Sequence, residues 1–196
     1  MPRQRLYEIA ESQLGYFTAK QALKAGYSRR VQSYHAAKRN WLRIQPGIYR
    51  LRDFPSQKHE EFVRWTLWSR NAGVISHASA AAYYELGDLM PSRVHLTVPP
   101  GFRKRVDAGV IMHRGTLSPH DSRQATGFSV TTPARTIIDL AVEGTETNWL
   151  AGVVRDALKQ GQATREDLDA RAASLDESRR IALRRLLKED SRVDAV

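Results

Sequence analysis

Glycines and helix-capping residues divide the N-terminal third of the chain into short segments. Gly15 and Gly26 each end a segment with helical apolar spacing, and Thr18 and Ser28 stand at the N-cap positions of the segments that follow. Because these start and stop signals lie so close together, they exclude a long helix and predict three short ones. The predicted helices cover residues 3–13, 19–25 and 29–40.

The pair Pro46-Gly47 follows the third predicted helix and separates two runs in which apolar and polar residues alternate. This alternation around a turn signal predicts a β-hairpin over residues 41–51. Three short helices followed by a hairpin are typical of a winged helix-turn-helix. We predict this fold for residues 1–54, followed by an amphipathic linking helix at residues 55–72.

Positive charge is concentrated in the same part of the chain. The 196 residues include 31 Lys+Arg and 21 Asp+Glu, a net charge of +10. Residues 1–72 contain 14 of the basic and 5 of the acidic residues, so the remainder is almost neutral. A small basic domain joined to a neutral larger one indicates an anion-binding module, and double-stranded DNA is the partner we predict. The alternative is a solvated basic face without a partner.

The amphipathic pattern of the third predicted helix suggests which side chains read DNA. On a helical wheel, Val31 and Tyr34 fall on one side and are expected to pack inward. Side chains on the opposite side are expected to face the major groove, where Arg reads guanine, Gln reads adenine and a small residue approaches a thymine methyl. The base-reading candidates are Arg29, Gln32, Ser33 and Ala36.

Other basic residues suit contacts with the DNA backbone. Arginines in the hairpin would place charge along the wing, and the N-terminus of the second helix offers backbone amides to a phosphate. The phosphate and wing candidates are Thr18, Lys20, Arg30, Lys38, Arg39, Arg43, Arg50 and Arg52. A secondary basic group, Arg103, Lys104 and Arg105, lies between two predicted strands. We expect it at the tip of a hairpin that touches DNA or an acidic partner, with a solubilising loop as the alternative.

Residues 73–196 combine short apolar strands with capped helices. The predicted strands cover residues 94–98, 110–113 and 128–131. Thr132 and Pro133 follow the last strand and are typical of a helix N-cap and first position. The fold class predicted for the whole chain is α+β, with the winged helix-turn-helix followed by a mixed α/β domain in which helices surround a small sheet.

The sequence offers little of the chemistry that an enzyme requires. It has no cysteine, which excludes disulfides, cysteine nucleophiles and zinc ribbons. None of the six histidines stands in an HExxH or HxH pattern, so the sequence predicts no metal site and no cofactor. His95 and His113 could lie on neighbouring strands, but lone histidines on strands are more often structural than catalytic. We therefore expect a protein without enzymatic activity.

The chain has no long apolar segment. No run approaches the ~18 apolar residues of a membrane span, and the basic N-terminus lacks the apolar run of a secretory signal. We expect a cytoplasmic protein with no membrane partner.

Several motifs resemble one known family in their order and spacing. The N-terminal runs are similar to the winged helix of AbiEi-type antitoxins, and the later runs resemble that family's C-terminal domain. The N-terminal runs are GYFTAKQA at 15–22, WLR at 41–43 and GIYR at 47–50. The later runs are VISHASAA at 74–81, VHLTVP at 94–99 and TTPARTIIDLA at 131–141.

The resemblance implies an antitoxin of a type IV toxin–antitoxin system that represses its own operon by binding inverted repeats. Its partners would be operator DNA and a nucleotidyltransferase-like toxin, and the chain would be a monomer or weak dimer that pairs on DNA. Two alternatives remain open. One is a protein-interaction module without specific DNA readout. The other is a diverged nuclease-like enzyme, whose cleavage would depend on Asp121 or Asp139.

Overall fold

The chain folds into two compact units. A computed structural model describes residues 1–88 and 90–193. The first unit consists of residues 1–73 and 124–129, and the second of residues 74–123 and the described residues from 130 onwards. Among the described residues, no helix is both long and apolar enough to cross a membrane.

The first unit is a winged helix-turn-helix, as the sequence predicts. Thr18 and Ser28 cap the second and third helices, and the Thr18 cap is a reciprocal capping box with Gln21. The fourth helix is shorter than the predicted linking segment. The elements are α1 (Pro2–Glu11), β1 (Tyr16–Thr18), α2 (Ala19–Lys24), α3 (Arg29–Ala37), β2 (Trp41–Gln45), β3 (Ile48–Leu51) and α4 (Glu60–Trp68).

The wing is a three-stranded antiparallel sheet in the order β1–β3–β2. The predicted hairpin is confirmed, and Gly47 in its turn adopts a left-handed φ of 77° that favours glycine. Strand β1 adds to this hairpin by pairing with β3, and Phe17 lies opposite Tyr49. The sequence pattern did not predict β1, because three residues are too short to show an alternation.

The core of the first unit joins the wing to the helices. Phe17 from β1 lies edge-on against Trp41 from β2, with 4.8 Å between the ring centroids, and both side chains are buried. Leu6, Ala10 and Ala22 from α1 and α2 complete the same apolar cluster. Burial of these groups is the main stabilising contribution that sets the position of the helices on the sheet.

The second unit has the predicted mixed architecture of a small sheet with helices. The predicted strands 94–98 and 128–131 are confirmed, and the third ends one residue later than expected. The elements are β4 (Val74–Ile75), α5 (His77–Tyr83), β5 (Val94–Val98), β6 (Val110–Arg114), β7 (Ser122–Ala125), β8 (Phe128–Thr131), α6 (Pro133–Glu143), α7 (Thr147–Lys159), α8 (Arg165–Ala172) and α9 (Glu177–Val193). The sheet has the order β6–β5–β4–β8–β7, and the parts of β7 and β8 within residues 124–129 belong to the first unit.

Strands β5 and β6 are parallel neighbours, with Val94 opposite Val110 and Val98 opposite Arg114. The segment between them therefore runs back along the sheet, and the expectation that Arg103, Lys104 and Arg105 form a hairpin tip is wrong. A hairpin joins antiparallel strands, whereas parallel strands require a longer crossover. The three basic residues are exposed in that crossover, and their contact with DNA or an acidic partner stays a prediction.

The two carboxylates that a nuclease would require are both paired with arginine. Asp121 accepts hydrogen bonds from Arg171 at 2.7 Å and from Arg135 at 3.2 Å. Arg135 also bonds Asp139 at 2.7 Å, one helical turn along α6. This network joins the N-terminal part of α6 to α8, so the geometry gives these carboxylates a structural role.

Candidate nucleic-acid interface and histidine cluster

Gln32 faces the interior of the first unit and is only 4% exposed. Its side-chain amide donates one hydrogen bond to the carbonyl of Ala19, at 3.1 Å, and another to the carbonyl of Tyr27, at 2.9 Å. The prediction that Gln32 reads bases is therefore wrong. These two hydrogen bonds instead join α3 to α2 and to the turn between the two helices.

A second inward contact involves His35 at the end of α3. Its ring stacks on Trp41 with 4.8 Å between centroids, and Asn40 lies 3.2 Å from the His35 Nδ1 atom. Gln32 and His35 lie almost one helical turn apart on the same side of α3. Together they fix which side of α3 faces solvent.

The exposed side of α3 differs in phase from the predicted one. Val31 and Tyr34, which were expected to pack inward, are 40% and 57% exposed. Arg29 and Ser33 are exposed as expected, whereas Ala36 is half-buried. The helical wheel placed Gln32 outside because it lies opposite the apolar Val31 and Tyr34. The inward hydrogen bonds of the Gln32 amide turn the buried side of α3 away from those two residues. The exposed face is centred on Arg30, Ser33 and Tyr34.

Most of the predicted phosphate contacts are exposed basic side chains. They are Lys20, Arg30, Lys38, Arg39, Arg43 and Arg52. Thr18 is half-buried and uses its hydroxyl in the helix cap. Whether these side chains contact DNA stays a prediction.

Arg50 is a structural residue of the wing, and its side chain is only 9% exposed. Its guanidinium donates to the Glu60 carboxylate at 2.9 Å and to the carbonyl of Pro55 at 3.1 Å. The prediction that Arg50 contacts phosphate is wrong, because both partners hold it against the start of α4. A buried charge requires such a partner, and Glu60 supplies it.

Lysine and arginine are the charged residue types in the segment from α2 to the end of the wing. Residues 18–52 contain nine lysines and arginines and no aspartate or glutamate. With Arg50 paired inside, the other basic residues have no acidic neighbour within the segment. Such a surface attracts polyanions over a range of about 8–10 Å at moderate salt.

Three histidines form a cluster in the second unit. His77 begins α5, His95 lies on β5 and His113 on β6. One ring nitrogen from each lies within 4.8 Å of the others. The His95 Nδ1 atom lies 3.1 Å from the His113 Nε2 atom, and the His77 and His113 rings stack with centroids 3.5 Å apart.

Burial makes these imidazoles poor bases. Burial, and after it the nearby His113 and His95 rings, lowers the pKa of His77 to about 2. Burial, and after it the His113 ring, lowers the pKa of His95 to about 4. Burial also lowers the pKa of His113. All three rings are therefore neutral at physiological pH, and each has one nitrogen lone pair, one of which accepts the hydrogen bond between His95 and His113.

The sequence allowed His95 and His113 to lie on neighbouring strands, but it did not predict the cluster with His77, because successive members are 18 residues apart along the chain. The parallel register places His95 opposite Ile111 and Thr97 opposite His113. Residues two apart on a strand share a face, so His95 and His113 lie on the same side of the sheet. Recognition that β5 and β6 are parallel neighbours was the signal that could have found the pair.

The family model of the AbiEi antitoxin C-terminal domain matches residues 71–189, more than half of the chain. The chain belongs to the AbiEi antitoxin family. The resemblance of the later motifs, at residues 74–141, is thereby confirmed, and the chain has an antitoxin-type role. No curated protein is detectably similar in sequence to this AbiEi antitoxin.

The fold of this AbiEi antitoxin is also found in a solved structure. The crystal structure of the RV2827C protein from Mycobacterium tuberculosis matches with a TM-score of 0.59 and 15% identity. The match covers 96% of this chain and 77% of that one. At this level of identity the likeness is one of fold.

The AbiEi domain contains a cleft of about 580 Å³ beside the histidine cluster. His95 and Ile111 from the sheet line it, together with Leu140 and the exposed Trp149 from the helices. Asp88, Glu143 and Glu146 also contribute to the lining. The cleft leads to the neighbourhood of His95 and gives that part of the cluster access to solvent.

Proposed function

We propose that this AbiEi antitoxin binds operator DNA through the exposed face of α3 and represses its own operon. The observation that carries the proposal is the charge of residues 18–52, where nine basic residues stand without one acidic residue. Exposed side chains of this segment surround a helix of the length that enters a major groove. The fold and charge together support a DNA-binding role more than either does alone.

The exposed face of α3 supplies the groups that read bases. Arg29 and Arg30 are suited to guanine, since a guanidinium bonds its O6 and N7 atoms together. Ser33 can donate to or accept from several bases, and Tyr34 can contact a thymine methyl with its ring and a polar edge with its hydroxyl.

The surrounding cations position the helix on the duplex. Lys20 at the start of α2 would meet phosphate beside the helix N-terminus, and Arg43 would place charge on the wing. Lys38, Arg39 and Arg52 add further phosphate contacts. Six to ten such contacts make binding depend steeply on salt, with affinity lost by about 10³–10⁵ between 50 and 200 mM.

The family supports a regulatory role in a type IV toxin–antitoxin system. In this proposal two copies bind the two halves of an inverted repeat, as two-fold operators require, and the chain is a monomer or weak dimer before it binds. Repression would limit synthesis of a nucleotidyltransferase-like toxin encoded in the same operon. The protein would act in the cytoplasm and carry out no reaction itself.

Binding to a duplex from the gene's own upstream region tests the proposal. Fluorescence anisotropy at about 150 mM salt would compare this duplex with a scrambled one of the same composition. Arg30→Ala is expected to weaken binding to the upstream duplex by about 1–3 kcal/mol and to reduce discrimination. Lys20→Ala is expected to weaken binding to both duplexes alike.

The matched control is Lys159→Ala, which removes an exposed cation from α7 in the second unit. It should leave both affinities unchanged. Equal affinity of the wild type for upstream and scrambled duplexes would overturn specific recognition and favour a protein-interaction module. Metal-dependent cleavage of either duplex that Asp121→Asn or Asp139→Asn abolishes would favour a nuclease-like enzyme.

A further inference from the structure

Three histidines of the second unit bring together ring nitrogens that could bind a metal ion and that have no part in the proposed DNA binding. His77, His95 and His113 come from three different elements, and their ring nitrogens converge within 4.8 Å. We propose that these three side chains bind one zinc ion or a chemically similar first-row divalent cation. All three belong to the second unit, whereas the DNA-binding surface proposed above consists of residues of the first unit.

The identity of the ligands selects the class of metal. Three imidazoles suit zinc, nickel, cobalt and copper, whereas magnesium and calcium prefer carboxylate and carbonyl oxygens. A tetrahedral zinc ion with Zn–N distances of about 2.0–2.1 Å holds its ligand nitrogens about 3.3 Å apart. The His95 and His113 nitrogens already lie 3.1 Å apart. The His77 ring, which stacks on His113 with 12° between the ring planes, must turn out of that stack to direct its nitrogen at the same ion.

A hydroxyl chain beside His77 provides the support that a ligating imidazole requires. The Ser76 hydroxyl lies 2.9 Å from the His77 Nδ1 atom and accepts a hydrogen bond from Thr97 at 2.7 Å. Because a hydroxyl oxygen can accept two hydrogen bonds, it can accept the Nδ1–H proton of His77 as well. That tautomer leaves the His77 Nε2 lone pair free for a metal, which is the usual role of such a partner.

The backbone at His77 is held in an unfavourable conformation that places its ring in the cluster. Its φ is 51°, a left-handed value that is unfavourable for a residue with a side chain. The hydrogen bond from the Ser76 amide to the His95 carbonyl, at 3.1 Å, fixes this turn against β5. Strain of this kind is retained where the position of a side chain matters, and here it brings His77 against His113.

The cleft beside His95 provides a route for the ion and a place for its fourth ligand. Three protein ligands leave one position of a tetrahedron open, and water fills it in sites of this type. The cleft reaches His95 from solvent. An ion held in this way would replace the hydrogen bond between His95 and His113 with two metal–nitrogen bonds, and the proton of that hydrogen bond would move from the donor nitrogen to the other nitrogen of the same ring.

Calorimetric titration of the full chain with zinc chloride at pH 7.5 tests the site. The protein must carry no polyhistidine tag and must first be treated with a chelator. We expect one zinc ion per chain, and we expect His113→Gln to weaken binding at least tenfold. The matched control is His120→Gln, because His120 is exposed and lies outside the cluster. It should bind zinc as the wild type does.

Two further measurements decide the result if a variant fails to fold. In the wild type, zinc should shift the imidazole resonances of His77, His95 and His113 and leave those of His35 and His120 unchanged. Cobalt should give the intense visible bands of a tetrahedral complex, and zinc should remove them. No saturable binding to the folded wild type would overturn the proposal. So would zinc binding that His77→Gln and His113→Gln both leave unchanged, or zinc shifts confined to exposed histidines.

Discussion

The side-chain amide of Gln32 donates a 2.9 Å hydrogen bond to the backbone carbonyl of Tyr27. This bond crosses the turn between α2 and α3, and together with the stack of His35 on Trp41 it sets the rotation of α3 about its own axis. Arg30, Ser33 and Tyr34 face solvent as a result. The face that we assign to DNA is thus determined by a residue that does not touch DNA.

Gln32→Met should destabilise the first unit while leaving DNA specificity intact, because the stack of His35 on Trp41 still holds the rotation of α3. Methionine has a similar length but no donor, so the carbonyls of Ala19 and Tyr27 lose their partner. We expect the free energy of unfolding in urea to fall by about 1–3 kcal/mol. Anisotropy measured where the variant is folded should still distinguish the upstream duplex from the scrambled one.

Ser33→Ala is the contrasting change on the same helix. Because Ser33 is exposed, the free energy of unfolding of the variant should lie within about 0.5 kcal/mol of the wild-type value. The affinity of the variant for the upstream duplex should fall. A large loss of discrimination in Gln32→Met together with full discrimination in Ser33→Ala would contradict the assigned face.

Arg50→Ala should act on stability and not on DNA affinity. The change removes the guanidinium from Glu60 and from the carbonyl of Pro55, and Glu60 keeps the hydrogen bonds from Ser56 and Gln57. Because Glu60 keeps some contact with water, we expect a loss of about 2 kcal/mol, less than for a fully buried pair. Urea unfolding measures this loss, and anisotropy at low temperature measures the affinity.

Arg43→Ala is the matched control for Arg50→Ala, since Arg43 is an exposed arginine of the same wing. It should weaken binding to both duplexes and leave the unfolding free energy nearly unchanged. The account of the wing is wrong if Arg50→Ala lowers DNA affinity as much as Arg43→Ala and costs no stability.

The Asp121 network should make the second unit sensitive to acid. Burial alone would raise the pKa of Asp121, but hydrogen bonds from Arg171 and Ser118 outweigh it and lower the pKa to about 2. A carboxyl whose pKa falls on folding adds stability above its ordinary pKa of 3.8. That contribution is lost as the pH falls from about 4 towards 2.

Asp121→Asn measures this contribution directly. At pH 6 the variant should be less stable than the wild type by about 2–3 kcal/mol, because Arg135 and Arg171 lose a shared partner. The difference should shrink when urea unfolding is repeated at pH 3. A difference that stays constant between pH 6 and pH 3 would show that the ionised carboxylate is not its source.

The sequence was informative where a local signal determines a local structure. Thr18 and Ser28 stand at real helix caps, and Gly47 occupies the turn of a real hairpin. Such features depend on neighbouring residues alone, so their pattern is visible in the chain. The charge of the N-terminal third and the family resemblance were visible for the same reason.

The sequence was misleading where a tertiary partner decides the outcome. Gln32 and Arg50 are polar residues that lie inside because distant groups satisfy their donors. The cluster of His77, His95 and His113 depends on two strands being parallel, which no single segment reveals. A helical wheel or a spacing rule considers each residue without its tertiary contacts. For these residues, the tertiary contacts decide whether the side chain is buried and what it binds.

The most direct test of the central claim is to map the DNA contact on the protein itself. Amide resonances of the 15N-labelled full chain would be followed while the upstream duplex is added at about 150 mM salt. We predict that the largest shift changes fall in residues 18–20, 29–34 and 38–43, with those of β5 and β6 unchanged. Changes concentrated in residues 99–109 or elsewhere in the second unit, with α3 unaffected, would contradict the account.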